Sequence, residues 1–150
     1  MPTNLEKIIV PLPEDNLAQA ATESMWGEPK GTNMYRIKNV PFLAKGFSRD
    51  DLVRAASKNG ALIYQDTLQH SGHSTYQVYV KVKRTDPLLM SLIERLAKMQ
   101  CVIEFASGQL FSVDVLPKAD IYAVYAELER AETAGLIDFQ EGHCGHKLKS

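Results

Sequence analysis

The residues best suited to chemistry cluster around one short string, Ser71-Gly72-His73-Ser74-Thr75, with His70 just before it. An imidazole beside a hydroxyl can act as base toward a nucleophile. Neighbouring strand residues point to opposite faces, however, so His73 and Ser74 are poorly placed to bond each other, and no orienting carboxylate is assigned by sequence. His143-Cys144-Gly145-His146 gathers imidazole and thiol ligands of the kind that suit zinc or copper. The paired Cys-x-x-Cys spacing of a closed structural site is missing, so no metal is assigned. Glu23, Glu28, Asp50 and Asp51 are candidate paired carboxylates without a located pocket. Glycines at 31, 46, 60 and 108 stand singly, giving neither a phosphate loop nor a dinucleotide fingerprint. No cofactor is implied.

Positioning these groups falls to a chain of 150 residues with charged and apolar content near the globular average. A formal charge of −1 argues against a protein that neutralises many phosphates, so no nucleic acid is expected. No apolar run is long enough to span a bilayer, and the start Met1-Pro2-Thr3-Asn4 lacks the pattern of a secretory leader. With two cysteines and no disulfide framework, the expectation is a cytoplasmic protein that does not enter membranes.

The first half reads as β-rich. Leu5 to Val10 is a strand stopped by Pro11 and Pro13 and suited to a sheet edge. Glu23 to Glu28 and Met34 to Val40 flank a turn-rich segment, and Asn59-Gly60 between Asp51 to Ala56 and Ala61 to Leu68 signals a tight hairpin. A short helix over Arg49 to Ser57 competes with that hairpin. From Thr75 to Lys83 apolar residues alternate with polar ones, as in a strand with one buried face. Asp86-Pro87 opens a helix carrying Leu88, Leu89, Leu92, Ile93, Leu96 and Met99. Strands at Cys101 to Phe105 and Leu110 to Val115 flank Ala106-Ser107-Gly108-Gln109. A second helix follows from Asp120 with Ile121, Val124, Tyr125 and Leu128 in one stripe, and Leu136 to Gln140 is a last strand. The expected fold is α+β, a small β-rich N-terminal half (1–74) packed on a ferredoxin-like βαββαβ half (75–142), with a mobile tail at 143–150.

Three strings in order, Thr22-Glu23-Ser24-Met25-Trp26-Gly27-Glu28-Pro29, Tyr35-Arg36-Ile37-Lys38-Asn39-Val40-Pro41-Phe42 and Ser71-Gly72-His73-Ser74-Thr75-Tyr76, resemble a family of short bacterial proteins, domain of unknown function 4265. The resemblance spans most of the chain and implies a bacterial origin and a common fold. It brings no activity with it. Gln77 stands where the family pattern suggests arginine.

Two functions are compatible with these residues. One is a non-enzymatic protein-binding module, such as an immunity protein that neutralises a toxin with a basic surface. Trp26 would be the anchor, with Glu14, Asp15, Glu23 and Glu28 as an acidic rim. The alternative is a small enzyme or ligand-binding domain using a cleft between the halves, with Asn39, His73 and Ser74 as its polar groups.

Overall fold

Short β-branched and aromatic runs punctuated by Pro, Gly and Asn build most of the chain. The computed structural model describes residues 4–106 and 108–149. Met1 to Thr3 of the leader reading, Ser107 of the expected turn and the tail's Ser150 lie outside the described residues.

Strands β1 (Glu6–Pro11), β2 (Thr22–Gly31), β3 (Met34–Ile37), β4 (Leu52–Lys58) and β5 (Ala61–Gln69) form a closed barrel. Each pairs antiparallel with the next, and β5 closes the ring by running parallel to β1, with Ile8 opposite Leu62. The edge expected at β1 is thereby removed. Asn59 and Gly60 both take positive φ, 52° and 83°, which is the backbone the β4–β5 turn demands, and the competing helix over 49–57 does not form. Ile8, Val10, Met25, Tyr35, Ile37, Val53 and Ala55 fill the interior, joined by Ala44 and Phe47 from the β3–β4 connection. A Cβ at Gly27 would sit 2.5 Å from Cδ1 of Ile8 and 2.9 Å from Cβ of Tyr35, so this position has room for glycine alone.

The second sheet has the order β7 (Cys101–Phe105), β8 (Leu110–Val115), β6 (Ser74–Val80), β9 (Ile137–His143), all antiparallel. Helices α1 (Pro87–Lys98) and α2 (Ile121–Thr133) share one apolar core with it. Asp86 Oδ1 accepts from the amide of Leu88, and Asp120 Oδ1 from Tyr122 and Ala123, so both helices start at the capping residues the sequence marks. Leu89, Leu92, Leu96, Ile121, Val124 and Leu128 pack on Tyr76, Val78, Val80, Phe111, Val113, Val115 and Ile137.

The α+β expectation with a ferredoxin-like C-terminal half is corrected: among the described residues the chain is mainly β, with nine strands, five of them in a closed barrel, and two short helices of 12 and 13 residues. Helical stripes give strong local periodicity and weigh heavily in a sequence. Barrel closure joins Ile8 to Leu62 and has no local pattern to announce it. The boundary drawn at 143 falls inside β9, which extends through His143.

Candidate functional site

The middle of the second sheet's face turned away from the helices is polar and buried. Thr75, Gln77, Ser112 and Asp114 project from β6 and β8 at the alternate positions to the apolar set, and each is fully buried. They meet the β3–β4 connection, residues 38–51. Gln77 Nε2 donates to the carbonyl of Ala44 at 2.7 Å, Ser112 Oγ to that of Pro41 at 2.7 Å, and Thr75 Oγ1 to Ser48 Oγ at 2.7 Å. Barrel and sheet are thus joined by a hydrogen-bonded seam in which buried polar groups find partners.

At one end of the seam Ser48 to Asp51 makes a corner. Asp50 adopts φ 70°, uncommon for a residue with a side chain, and is held there by its amide bonded to the carbonyl of Ile37, by Lys38 Nζ on its carboxylate at 2.8 Å and by Arg36 on its carbonyl. Burial pushes the Asp50 carboxyl up, but the hydrogen bond and charge of Lys38, with His73 and Arg49, outweigh it and leave its pKa below the ordinary value. Asp51 is fully buried. Its Oδ1 accepts from the amide and hydroxyl of Ser71, both at 2.8 Å, and its Oδ2 from the amide of Ser48 at 2.8 Å. Oδ2 also lies 2.9 Å from Nδ1 of His70.

His70 follows the end of β5, and its ring stacks on that of His143 at the end of β9, with centroids 4.2 Å apart and planes 15° from parallel. His143 Nδ1 lies 3.2 Å from Ser48 Oγ. Burial, and then the neighbouring His70, hold the His143 pKa below the ordinary histidine value. The His70 side chain is 48% exposed, so this end of the seam opens to solvent. The site therefore draws Asp51 and His70 from the barrel and His143 from the sheet.

Deeper along the seam, His73 Nδ1 is 2.7 Å from Oδ1 of the fully buried Asp114, and its Nε2 is 3.6 Å from Asp50. The Asp114 hydrogen bond raises the His73 pKa; burial opposes this, and the charges of Asp114 and Asp50 add to the rise. Asp114 holds the ring in a fixed tautomer, as an orienting carboxylate does in a proton-transfer pair. Ser74 points elsewhere. Its hydroxyl is 2.6 Å from Nδ1 of His146 and receives the amides of Gly145 and His146, while His146 Nε2 meets the carbonyl of Leu116 at 2.9 Å. Ser74 is a clamp on residues 145–146, with its oxygen occupied by amides. A Cβ at Gly145 would overlap the His73 carbonyl oxygen, so a side chain there has no room.

The other residues singled out by sequence are scattered. Asn39 Oδ1 accepts the amide of Trp26 at 2.9 Å. Glu23 receives the amides of Phe42, Leu43 and Ala44 at 2.7, 3.0 and 2.7 Å and so fixes the seam loop. Glu28 pairs with Lys30, Glu14 and Asp15 lie exposed in the β1–β2 connection, and Trp26 is 46% exposed with Lys7 across the ladder. The tail cluster is divided too, since Cys144 Sγ turns to the His146 carbonyl and His146 to Ser74. Asp114 escaped sequence reading, although an acid inside a strand otherwise made of apolar residues and one serine is the signal that marks it.

A family model described as Domain of unknown function (DUF4265) matches residues 23–139, from β2 into β9. The chain belongs to the DUF4265 family. The DUF4265 match takes in Asp51, His70, His73 and Asp114 and stops short of His143. No curated protein matches the sequence. A crystal structure of a hypothetical protein from Neisseria gonorrhoeae is similar with a TM-score of 0.78 at 22% identity, covering 95% of this chain and 97% of that one. That likeness shows the fold alone. Among the described residues no helix is long and apolar enough to cross a membrane.

Proposed function

We propose that the protein is a small ligand-binding domain whose site is the open end of the barrel–sheet seam, at Asp51, His70 and His143. The observation that carries this reading is the stack of two imidazoles, contributed by separate halves of the fold, beside a fully buried carboxylate at a solvent-reaching mouth. Such groups offer coordination, proton transfer and hydrogen bonding from a rigid frame. His73 sits behind them with its Asp114 partner, so the site is displaced from the His73–Ser74–Asn39 cleft read from the sequence. An amide NMR screen of the full chain against small carboxylates, phosphates and heteroaromatic metabolites tests it. Saturable shifts should concentrate at Ser48, Asp51, His70, Ser71 and His143. Shifts centred instead on the apolar cavity of about 320 Å³ beside Tyr122, Tyr125 and Leu148, or no saturable ligand at all, would overturn it.

The protein-partner reading keeps one supporting observation, the exposed Trp26 on the outer barrel face. Its acidic rim is reduced, because Glu23 is committed to three backbone amides. A native-like Trp26→Ala variant that loses a partner captured by the wild-type chain would favour it.

A further inference from the structure

We propose that Asp51, His70 and His143 bind a divalent transition metal ion of the zinc class across the barrel–sheet seam; this rests on the reading of the seam as the ligand site. Each of the three residues offers a ligand atom, and these atoms lie within 4.8 Å of one another. Zinc bonds to imidazole nitrogen and carboxylate oxygen are about 2.0–2.2 Å long, so ligand atoms on one ion are about 3–4 Å apart and the set must contract by about 1 Å. Two imidazoles and a carboxylate are the donor types such ions take, with the remaining positions left for solvent or substrate.

The surroundings are those of held ligands. Asp51 Oδ1 is fixed by the amide and hydroxyl of Ser71 and Oδ2 by the amide of Ser48, which leaves the second lone pair of Oδ2, on the His70 side, for a cation. Ser48 Oγ faces Nδ1 of His143 and is itself held by the hydroxyl of Thr75. In the tautomer that donates Nδ1–H to Ser48, which metal binding would select, His143 presents Nε2 as its coordinating nitrogen, the outer-shell arrangement that orients metal-bound histidines. The stacked rings cannot both hold one ion in plane, because their planes are nearly parallel. Coordination therefore requires one ring to turn about its Cβ–Cγ bond, and His70, half exposed and at the end of a strand, is the one with room to do so. Metal exchanges the His70–His143 stack and the His70–Asp51 hydrogen bond for three bonds to the ion.

The competing donor set is the contiguous His143-Cys144-Gly145-His146 string, which the fold divides. The full chain, stripped with chelator, is titrated with zinc chloride by calorimetry and with cobalt(II) by visible absorption. One ion per chain in the micromolar range is expected, with a rise in melting temperature that a chelator reverses. His70→Ala and His143→Ala, which each remove a ligand, should weaken binding by at least the roughly 10- to 100-fold that loss of an outer-shell partner costs, whereas Cys144→Ser should leave it unchanged. His70 is exposed, so its variant keeps the fold and the comparison stands even where an Asp51 variant does not fold. On zinc addition the ring-proton NMR signals of His70 and His143 should both move as the stack opens. Absence of saturable binding, binding that survives both histidine variants, or binding lost in Cys144→Ser would each overturn the proposal. A seam that takes an organic ligand and no metal ends this inference alone; one that takes neither ends the reading it rests on.

Discussion

Replacing Glu23 by alanine should destabilise the protein far more than removal of an ordinary surface acid. Its carboxylate accepts three consecutive amides, those of Phe42, Leu43 and Ala44, from a loop whose carbonyls at Pro41 and Ala44 then receive Ser112 and Gln77 of the sheet. Hydrogen bonds to a charged acceptor contribute about 1.5–3 kcal/mol each, which sets an upper limit of about 5–9 kcal/mol for three. The three share one carboxylate in a half-buried position, and water replaces part of what is lost, so a loss of about 2–4 kcal/mol is expected. Glu23→Gln retains an acceptor oxygen without the charge and should lose about half as much. Urea unfolding followed by circular dichroism reads the effect as a lower midpoint at unchanged slope. Glu28→Ala is the control, since Glu28 is partly exposed and its carboxylate pairs with the exposed Lys30, and it should leave the midpoint where it was. A Glu23→Ala loss below about 0.5 kcal/mol would mean that the loop holds itself and that Glu23 is a surface charge after all.

Leu92→Ala should cost about 2–5 kcal/mol in the same assay, because Leu92 is fully buried between α1 and the second sheet; a near-neutral result would place that helix elsewhere. Truncation after Gly142 removes His143 and the Gly145 and His146 contacts to Ser74, and a loss of about 1–3 kcal/mol is expected, against no change if residues past 142 were only a loose end. For pH, the His73 pKa is raised above the ordinary 6.5, so its protonated form stabilises the fold: the contribution is full below about pH 6.5 and is lost as pH rises through the higher folded-state value. His143, lowered, acts in the opposite sense and costs stability as pH falls through its folded-state value. His73→Gln should therefore abolish the decline in urea midpoint as pH rises above about 6.5, and an undiminished decline in the variant would assign it to another group.

What the sequence discloses of this fold is what short-range chemistry encodes. Asp86-Pro87 and Asp120 state where helices begin, Asn59-Gly60 states a turn, and Tyr76, Val78 and Val80 state which strand positions face a core. Each of those signals is complete within a few residues. Closure of the barrel is different in kind, because the parallel contact of Ile8 with Leu62 depends on the twist and stagger accumulated through the strands between them. The Leu5 to Val10 run therefore reads as an edge, and the two helical stripes pull the class toward α+β.

The site was half visible for a related reason. Asp51, His70 and His143 all attract notice for their types, but proximity along the chain sorts them into separate groups, Asp51 with Asp50, His70 with His73 and His143 with Cys144. The fold regroups them across 19 residues between Asp51 and His70, and it brings His143 to Ser48 across 95. The buried seam has the same ambiguity, since polar residues at every second position of a strand read equally as a solvated face or as a polar interface. Side-chain length separates the two. On the polar face of β6 and β8 the buried positions carry Thr75, Gln77, Ser112 and Asp114, short or uncharged apart from one acid, whereas beyond the seam the same alternation continues as the exposed Tyr79 and Lys81. Long cations keep their charge in water by extending outward, so a stretch of alternate polar positions with no lysine or arginine marks a face that something covers. In this chain the cover is the loop from Lys38 to Asp51, and the one acid left in the stretch, Asp114, is the residue that holds His73.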